Sequence, residues 1–259
     1  MQMDRYDHGV PSWVDVQSPD VERAAAFYAG LFGWQIFEGP PEAGGYRMAY
    51  LNDRSVCGLS PQMNPGPPVW TTYVNVTSAD DVAALVKANG GMVFMEPMDV
   101  LDVGRMAILA DPAGAVFGVW QAGTHPGAGV VNEPGTLCWN ELMTTDLDGA
   151  KKFYGAVFGW GSQDQGPAGP GGYTEWKLGD RSIGGMMAKP PGVPAEVPPN
   201  WLAYFAVTDA DAAIAKIGEL GGAVMMGPMD IEPGRFAVVA DPTGAVFAVI
   251  ALKGDLAGG

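Results

Sequence analysis

One stretch of this chain is written twice, and the repeat limits what the chain can fold into. Trp13-Val14-Asp15-Val16, then Asp20, Phe27-Tyr28 and Phe32-Gly33-Trp34, returns 126 positions later as Trp139-Asn140-Glu141-Leu142, then Asp146, Phe153-Tyr154 and Phe158-Gly159-Trp160. The match runs on through Tyr46 and Tyr173, Trp70 and Trp201, and the turns Asp111-Pro112-Ala113-Gly114 and Asp241-Pro242-Thr243-Gly244, with the offset drifting only to 130 or 131. A period of that length is a whole small domain, not a solenoid repeat. The 259 residues therefore read as two modules, residues 6–121 and 136–252, each with its own core, joined by a Gly/Pro-rich linker at 122–135.

Within each module the pattern repeats more loosely. Pro11 to Gln17 alternates apolar and polar residues, the period of a half-buried strand. Ser18 then reads as an N-cap, with Pro19 at the first helical position and a helix reaching Phe32 before Gly33 stops it. Short strands follow at 34–38, 46–51 and 55–59, and a Pro/Gly-rich link spans 61–68. A second strand–helix–three-strand run starts at Trp70, with Ser78-Ala79-Asp80-Asp81 at capping-box spacing. Thr145-Asp146-Leu147-Asp148 and Thr208-Asp209-Ala210-Asp211 have the same spacing. The expected fold is α+β: four βαβββ units forming two curved sheets with outer helices.

Charge excludes some partners. A net charge of −15 disfavours nucleic acid and anionic membrane, and leaves a small-molecule ligand as the expected partner of a monomer or homodimer. No apolar run approaches a membrane span, and Cys57 and Cys138 form neither a disulfide framework nor a metal spacing. The expectation is a reduced, cytoplasmic protein.

The duplicated βαβββ pairs, with Asp, Phe-Tyr and Phe-Gly-Trp early and Asp-Pro-x-Gly late, resemble the vicinal oxygen chelate superfamily. That group includes glyoxalase I, bleomycin-resistance proteins and extradiol dioxygenases. In detail the chain is similar to the tandem glyoxalase-like "hydroxylases" of actinomycetes, some of which lie in antibiotic clusters. In metal-dependent members the resemblance implies a ligand seven residues before the helix-opening Asp, which falls on Trp13 and Trp139. The corresponding places in the other units are Thr71 and Leu202, and the final-strand Glu position falls on Gly118 and Ala248. Of these only Thr71 offers a weak side-chain donor, and the two histidines, His8 and His125, lie in the N-terminal arm and the linker, where solvent-facing roles are expected. The expectation is no metal and no cofactor.

Strand alternation puts Trp13, Asp15 and Gln17 on one face of the first strand, and Trp139, Glu141 and Met143 on the matching face of its copy. Two readings stay open for these residues. In one, Asp15 and Glu141 are proton carriers in a cup whose substrate contacts are Trp13, Trp139, Trp120, Gln17, Met143, Tyr46, Tyr50, Tyr173 and Glu175. In the other, the Trp residues plug the cup and the carboxylates pair with Arg105, Arg235 or Lys177, while the tyrosines only pack. The function expected is metal-independent action on, or binding of, an aromatic or polyketide-like molecule, such as a tailoring step of secondary metabolism. The alternative is sequestration of a drug or metabolite by a non-catalytic protein of the bleomycin-resistance type.

Overall fold

The computed structural model describes residues 1–63, 65–166 and 172–254; Asn64, inside the link at 61–68, lies outside them. The chain forms two eight-stranded mixed sheets of identical order. In the first, β1 (Pro11–Ser18), α1 (Val21–Phe32), β2 (Gln35–Glu38), β3 (Arg47–Leu51) and β4 (Arg54–Pro61) make one unit. The second unit is β5 (Val69–Asn75), α2 (Ala79–Ala88), β6 (Met92–Val100), β7 (Gly104–Ala110) and β8 (Val116–Ala122). β1 and β5 pair antiparallel at the centre, giving β2-β3-β4-β1-β5-β8-β7-β6.

The second sheet repeats this with β9 (Leu137–Thr144), α3 (Leu147–Phe158), β10 (Gly161–Asp164), β11 (Tyr173–Leu178) and β12 (Arg181–Ala188). Its other unit is β13 (Asn200–Ala206), α4 (Ala210–Glu219), β14 (Ala223–Ile231), β15 (Gly234–Ala240) and β16 (Val246–Leu252). The four βαβββ units thus pair within each module.

Three helix starts lie one or two residues from the expected caps. Asp20, Asp146 and Asp209 accept from the backbone N–H of Arg23, Gly149 and Ala212, so Asp caps where Ser18, Thr145 and Thr208 were expected. Ser18 instead accepts from Asp20 N–H and donates to Thr243 across the module boundary. Ser78 caps α2 as its spacing indicates, and Gly33 ends α1 in the left-handed region at φ 74°.

The helices cover the face of each sheet opposite the cup, and there the modules meet. The two main cores are shared, contrary to the expectation of one core per module. Val14, Val16, Phe27, Tyr28 and Phe32 pack with Phe205, Ile217 and Phe247, while Val82, Val86 and Phe117 pack with Phe153, Tyr154 and Trp201. Two equivalent polar latches cross this interface. Trp70 Nε1 donates to the Tyr28 hydroxyl at 3.0 Å, and that hydroxyl donates to Asp241 Oδ2 at 2.9 Å. Trp201, Tyr154 and Asp111 repeat the arrangement at 3.0 and 3.1 Å. The Asp of each Asp-Pro-x-Gly turn thus holds its own turn with one oxygen and the other module's helix with the other. The indole of Trp160 adds a cross-module bond to the Gly9 carbonyl, and that of Trp34 donates to the Gly135 carbonyl in the linker.

Candidate functional site

The cup faces carry the residues that alternation selected. Val14 and Val16 go to the helix side, leaving Trp13, Asp15 and Gln17 on the cup side of β1. Asp15 is only 6% exposed. Its Oδ2 accepts from the Tyr73 hydroxyl at 3.0 Å and the Tyr46 hydroxyl at 3.4 Å, and the indole N–H of Trp13 donates to Tyr46 at 2.9 Å. In the second cup Trp139 donates to Tyr173 at 2.8 Å and Tyr204 donates to Glu141 Oε1 at 2.8 Å, with the Tyr173 hydroxyl near the Glu141 carboxyl. The result is one network written twice: indole to tyrosine to carboxyl, with a second tyrosine closing from the neighbouring strand.

Small residues make room for it. Gly58 is the register partner of Asp15, and a Cβ there would stand 1.8 Å from the Tyr46 hydroxyl oxygen; Gly185, partner of Glu141, is in the same position under Tyr173 at 1.9 Å. Gly118, one of the six positions at which the resemblance implies a ligand, lies under the Tyr73 ring, where a Cβ would come within 2.2 Å. Ala248 is the corresponding partner of Tyr204. Two of the positions at which the resemblance implies a ligand, Gly118 and Ala248, thus lie beside a tyrosine. Trp, Thr, Leu, Gly and Ala do not fit a divalent ion, and among the described residues no group of three or more His, Cys, Asp and Glu side chains could hold one.

Neither carboxyl has a cation beside it among the described residues. Arg105 is held by Asp80 and Asp99, Arg235 by Asp211 and Asp230, and Lys177 by Glu175 at 2.7 Å, so the pairing considered for Asp15 and Glu141 does not form. Burial without a counter-charge pushes the Asp15 carboxyl up to about 7, against the smaller opposing effect of the tyrosine bonds. The Glu141 carboxyl is raised for the same reason. Among the described residues Asp15 Oδ1 has no hydrogen-bond partner.

The remaining expected residues scatter. Met143 and Gln17 are half-buried, each two residues beyond the carboxyl of its strand. Glu175 on β11 is engaged with Lys177 and Ser182. Tyr50 stacks edge-on with Phe37 and lines a shallow depression of about 310 Å³ with Gln35 and Asp53, away from the network of Asp15. Trp120 donates to the His125 carbonyl at 2.8 Å, and the His125 ring lies 4.6 Å from Trp13 and 5.8 Å from Trp120. His125 is thus wedged between indoles, not turned to solvent, and burial pushes its imidazole down to about 4. His8 is half-buried and accepts from Thr77 N–H. Cys57 is fully buried and Cys138 half-buried at the second cup. Sequence reasoning missed Tyr73 and Tyr204. They follow Trp70 and Trp201 by three positions at the common 131-residue offset, so the repeat itself carried the signal.

Comparison with known proteins agrees with this architecture. The sequence profile of the glyoxalase/bleomycin resistance protein/dioxygenase superfamily matches twice, over residues 10–119 and 131–249. A Mycobacterium tuberculosis protein named "Putative glyoxylase CFP32" is 46% identical over 254 residues, covering 95% of both chains. The anthracycline biosynthesis protein DnrV of Streptomyces peucetius is 39% identical over 269 residues, covering 97% of this chain and 96% of its own. In fold the chain is similar to the 2,3-dioxygenase LapB of Pseudomonas sp. KL28, with a TM-score of 0.67 at 14% identity over 94% of this chain and 92% of that one. It is also similar to the Mn(II)-bound glyoxalase of Novosphingobium aromaticivorans, with a TM-score of 0.65 at 17% identity over 95% and 84%.

Proposed function

The chain belongs to the glyoxalase/bleomycin resistance protein/dioxygenase superfamily, and on that premise we propose that it acts without a divalent metal on an aromatic, polyketide-like small molecule held in a cup. The observation that carries this reading is a buried carboxyl bonded by tyrosine in both modules. A carboxyl whose hold on its proton is strengthened by burial donates a hydrogen bond, or its proton, to a ligand oxygen, and its conjugate base takes a proton back. Tyr204 holds the Glu141 carboxyl in place, as Tyr73 and Tyr46 hold that of Asp15. This suits a proton-transfer step on a ketone or phenol, of the kind a tailoring enzyme of secondary metabolism performs. The biosynthetic role named for the Streptomyces relative supports that substrate class.

The protein acts in the cytoplasm, as a monomer or homodimer. No helix among the described residues is long and apolar enough to cross a membrane. The test is a panel of hydroxylated aromatic polyketides, followed by melting shift and by product analysis, with and without chelator. At a free concentration of about 100 times Kd, a true ligand stabilises the fold by roughly 2.7 kcal/mol. Turnover that survives chelation and is lost in Glu141→Gln or Asp15→Asn supports catalysis. Binding without turnover of any panel member assigns sequestration instead. Turnover that chelator abolishes and added metal restores overturns the metal-free reading.

A further inference from the structure

We infer that the two cups have divided their roles: the first is closed and structural, and the second receives the ligand, a flat, uncharged aromatic molecule bearing a ketone or phenol oxygen. The inference rests on the reading above and adds to it the site and the charge class of the ligand.

The duplication allows a like-for-like comparison, because each position in one cup has a counterpart in the other. Ser12, Trp13 and Thr71 are 1%, 4% and 6% exposed, whereas Cys138, Trp139 and Leu202 at the equivalent places are only half-buried. What covers the first cup is the segment expected to be a mere linker. Gly123 and His125 donate to the Val103 carbonyl, Ala128 N–H donates to the Ser12 carbonyl at 2.8 Å, and Gly129 N–H donates to the Ser55 carbonyl at 2.8 Å. The N-terminal arm locks this strap from outside, with Met3 N–H on the Gly129 carbonyl and Val131 N–H on the Met1 carbonyl, both at 3.0 Å.

The apolar cluster of the first cup accordingly recruits Met1, Met3, Ala128 and Val131 from beyond its sheet. Among the described residues, every member of the second cluster stands on a strand of its own sheet. His125 completes the closure by sitting against Trp13. The depression at Tyr50 and Phe37 remains open in the first module, but none of the residues of the carboxyl network lines it.

The walls of the second cup define its ligand. Leu202, Val238, Phe236 and Met229 present an apolar side, with Met229 and Phe236 paired across β14 and β15. Trp139, Tyr173 and Glu141 supply polar atoms at the base. Among the described residues, the ionisable groups of this cup include Glu175, Lys177 and Glu141. Glu175 is neutralised by Lys177, and Glu141 is buried among hydroxyls, where burial holds its carboxyl above the usual range. Among these residues a cation finds no free carboxylate to offset its lost hydration.

The experiment uses 1,8-dihydroxyanthraquinone as the neutral probe and proflavine, a flat cation of similar size, as its counterpart, both titrated calorimetrically into the full chain. The expected result is a single anthraquinone bound per chain, with proflavine weaker by at least about tenfold. Leu202→Trp, which fills the second cup, and the conservative Glu141→Gln should each weaken the anthraquinone by about tenfold or more. His125→Ala should leave its affinity within about twofold. Melting curves of all three variants show that each is folded. Two anthraquinones per chain, loss of binding in His125→Ala but not in Leu202→Trp, or proflavine binding equal to the anthraquinone overturns the division while leaving the broader reading intact. Failure of every aromatic polyketide in the panel to bind the wild type removes both.

Discussion

Replacing Asp15 by Asn changes the pH dependence of stability in a direction and size that follow from the cup. The Asp15 carboxyl moves from 3.8 in the unfolded chain to about 7 in the folded one because it is buried with no cation beside it among the described residues, and the bonds it accepts from Tyr73 and Tyr46 only partly offset that rise. Between those two values the native state keeps a proton that the unfolded state has released. The native state then binds more protons, so stability falls as pH rises through this window and is level above it. At 1.36 kcal/mol per pH unit the whole window is worth about 4 kcal/mol, of which about 2.5 kcal/mol falls between pH 5 and pH 8. Asn keeps the shape and an oxygen for Tyr73 and Tyr46, and does not titrate. Urea unfolding followed by tryptophan emission should show Asp15→Asn gaining about 2.5 kcal/mol on the wild type over that range. Contributions from Glu141 and Asp111 have the same sign and cancel in the comparison. A constant offset at all pH values, or a gap that closes as pH rises, would refute the account of a protonated carboxyl.

The latches give a matched pair of variants: Tyr28→Phe and Tyr154→Phe each leave a Trp N–H and an Asp oxygen without their shared partner, at a cost of about 1–3 kcal/mol in denaturant unfolding. If only one of the two destabilises, the modules are not joined as equivalents. Gly118→Ala forces the Tyr73 ring away from Asp15 and should cost about 1–3 kcal/mol, with near-ultraviolet circular dichroism reporting the moved tyrosine. An unchanged spectrum and stability would mean that the close seat is not needed. Exhaustive chelation should leave anthraquinone binding unaltered, and a loss that added metal restores would contradict the donor set.

Much of the architecture could be read from the repeat because period and punctuation agree at every level. Val14 and Val16 against Trp13 and Asp15 fixed which face of β1 is the cup, and Gly33 and Gly159 marked both helix ends. The caps moved because Ser18 and Asp20 both offer a side-chain oxygen, and the short Asp side chain reaches the N–H three residues on. The shared cores were not legible, since an apolar helix face does not state which sheet it will meet. The candidate carboxyls were visible as a repeated polar residue in a strand. Their partners were not, because Tyr73 and Tyr204 reach them from a strand some sixty residues away. His125 was misread for a physical reason: a Gly/Pro-rich segment ordinarily runs over the surface, and here its carbonyls and N–H groups are tied down by Ser12, Ser55 and Val103.

Infrared difference spectroscopy of the ligand-bound against the free protein tests the central claim most directly, because it observes the carbonyl stretch of a protonated carboxyl. With 1,8-dihydroxyanthraquinone as ligand, that band should shift on binding in the wild type and in Asp15→Asn, and the shift should vanish in Glu141→Gln. A shift that vanishes in Asp15→Asn instead, or binding with no change at any protonated carboxyl, would contradict a ligand held by Glu141 in the second cup.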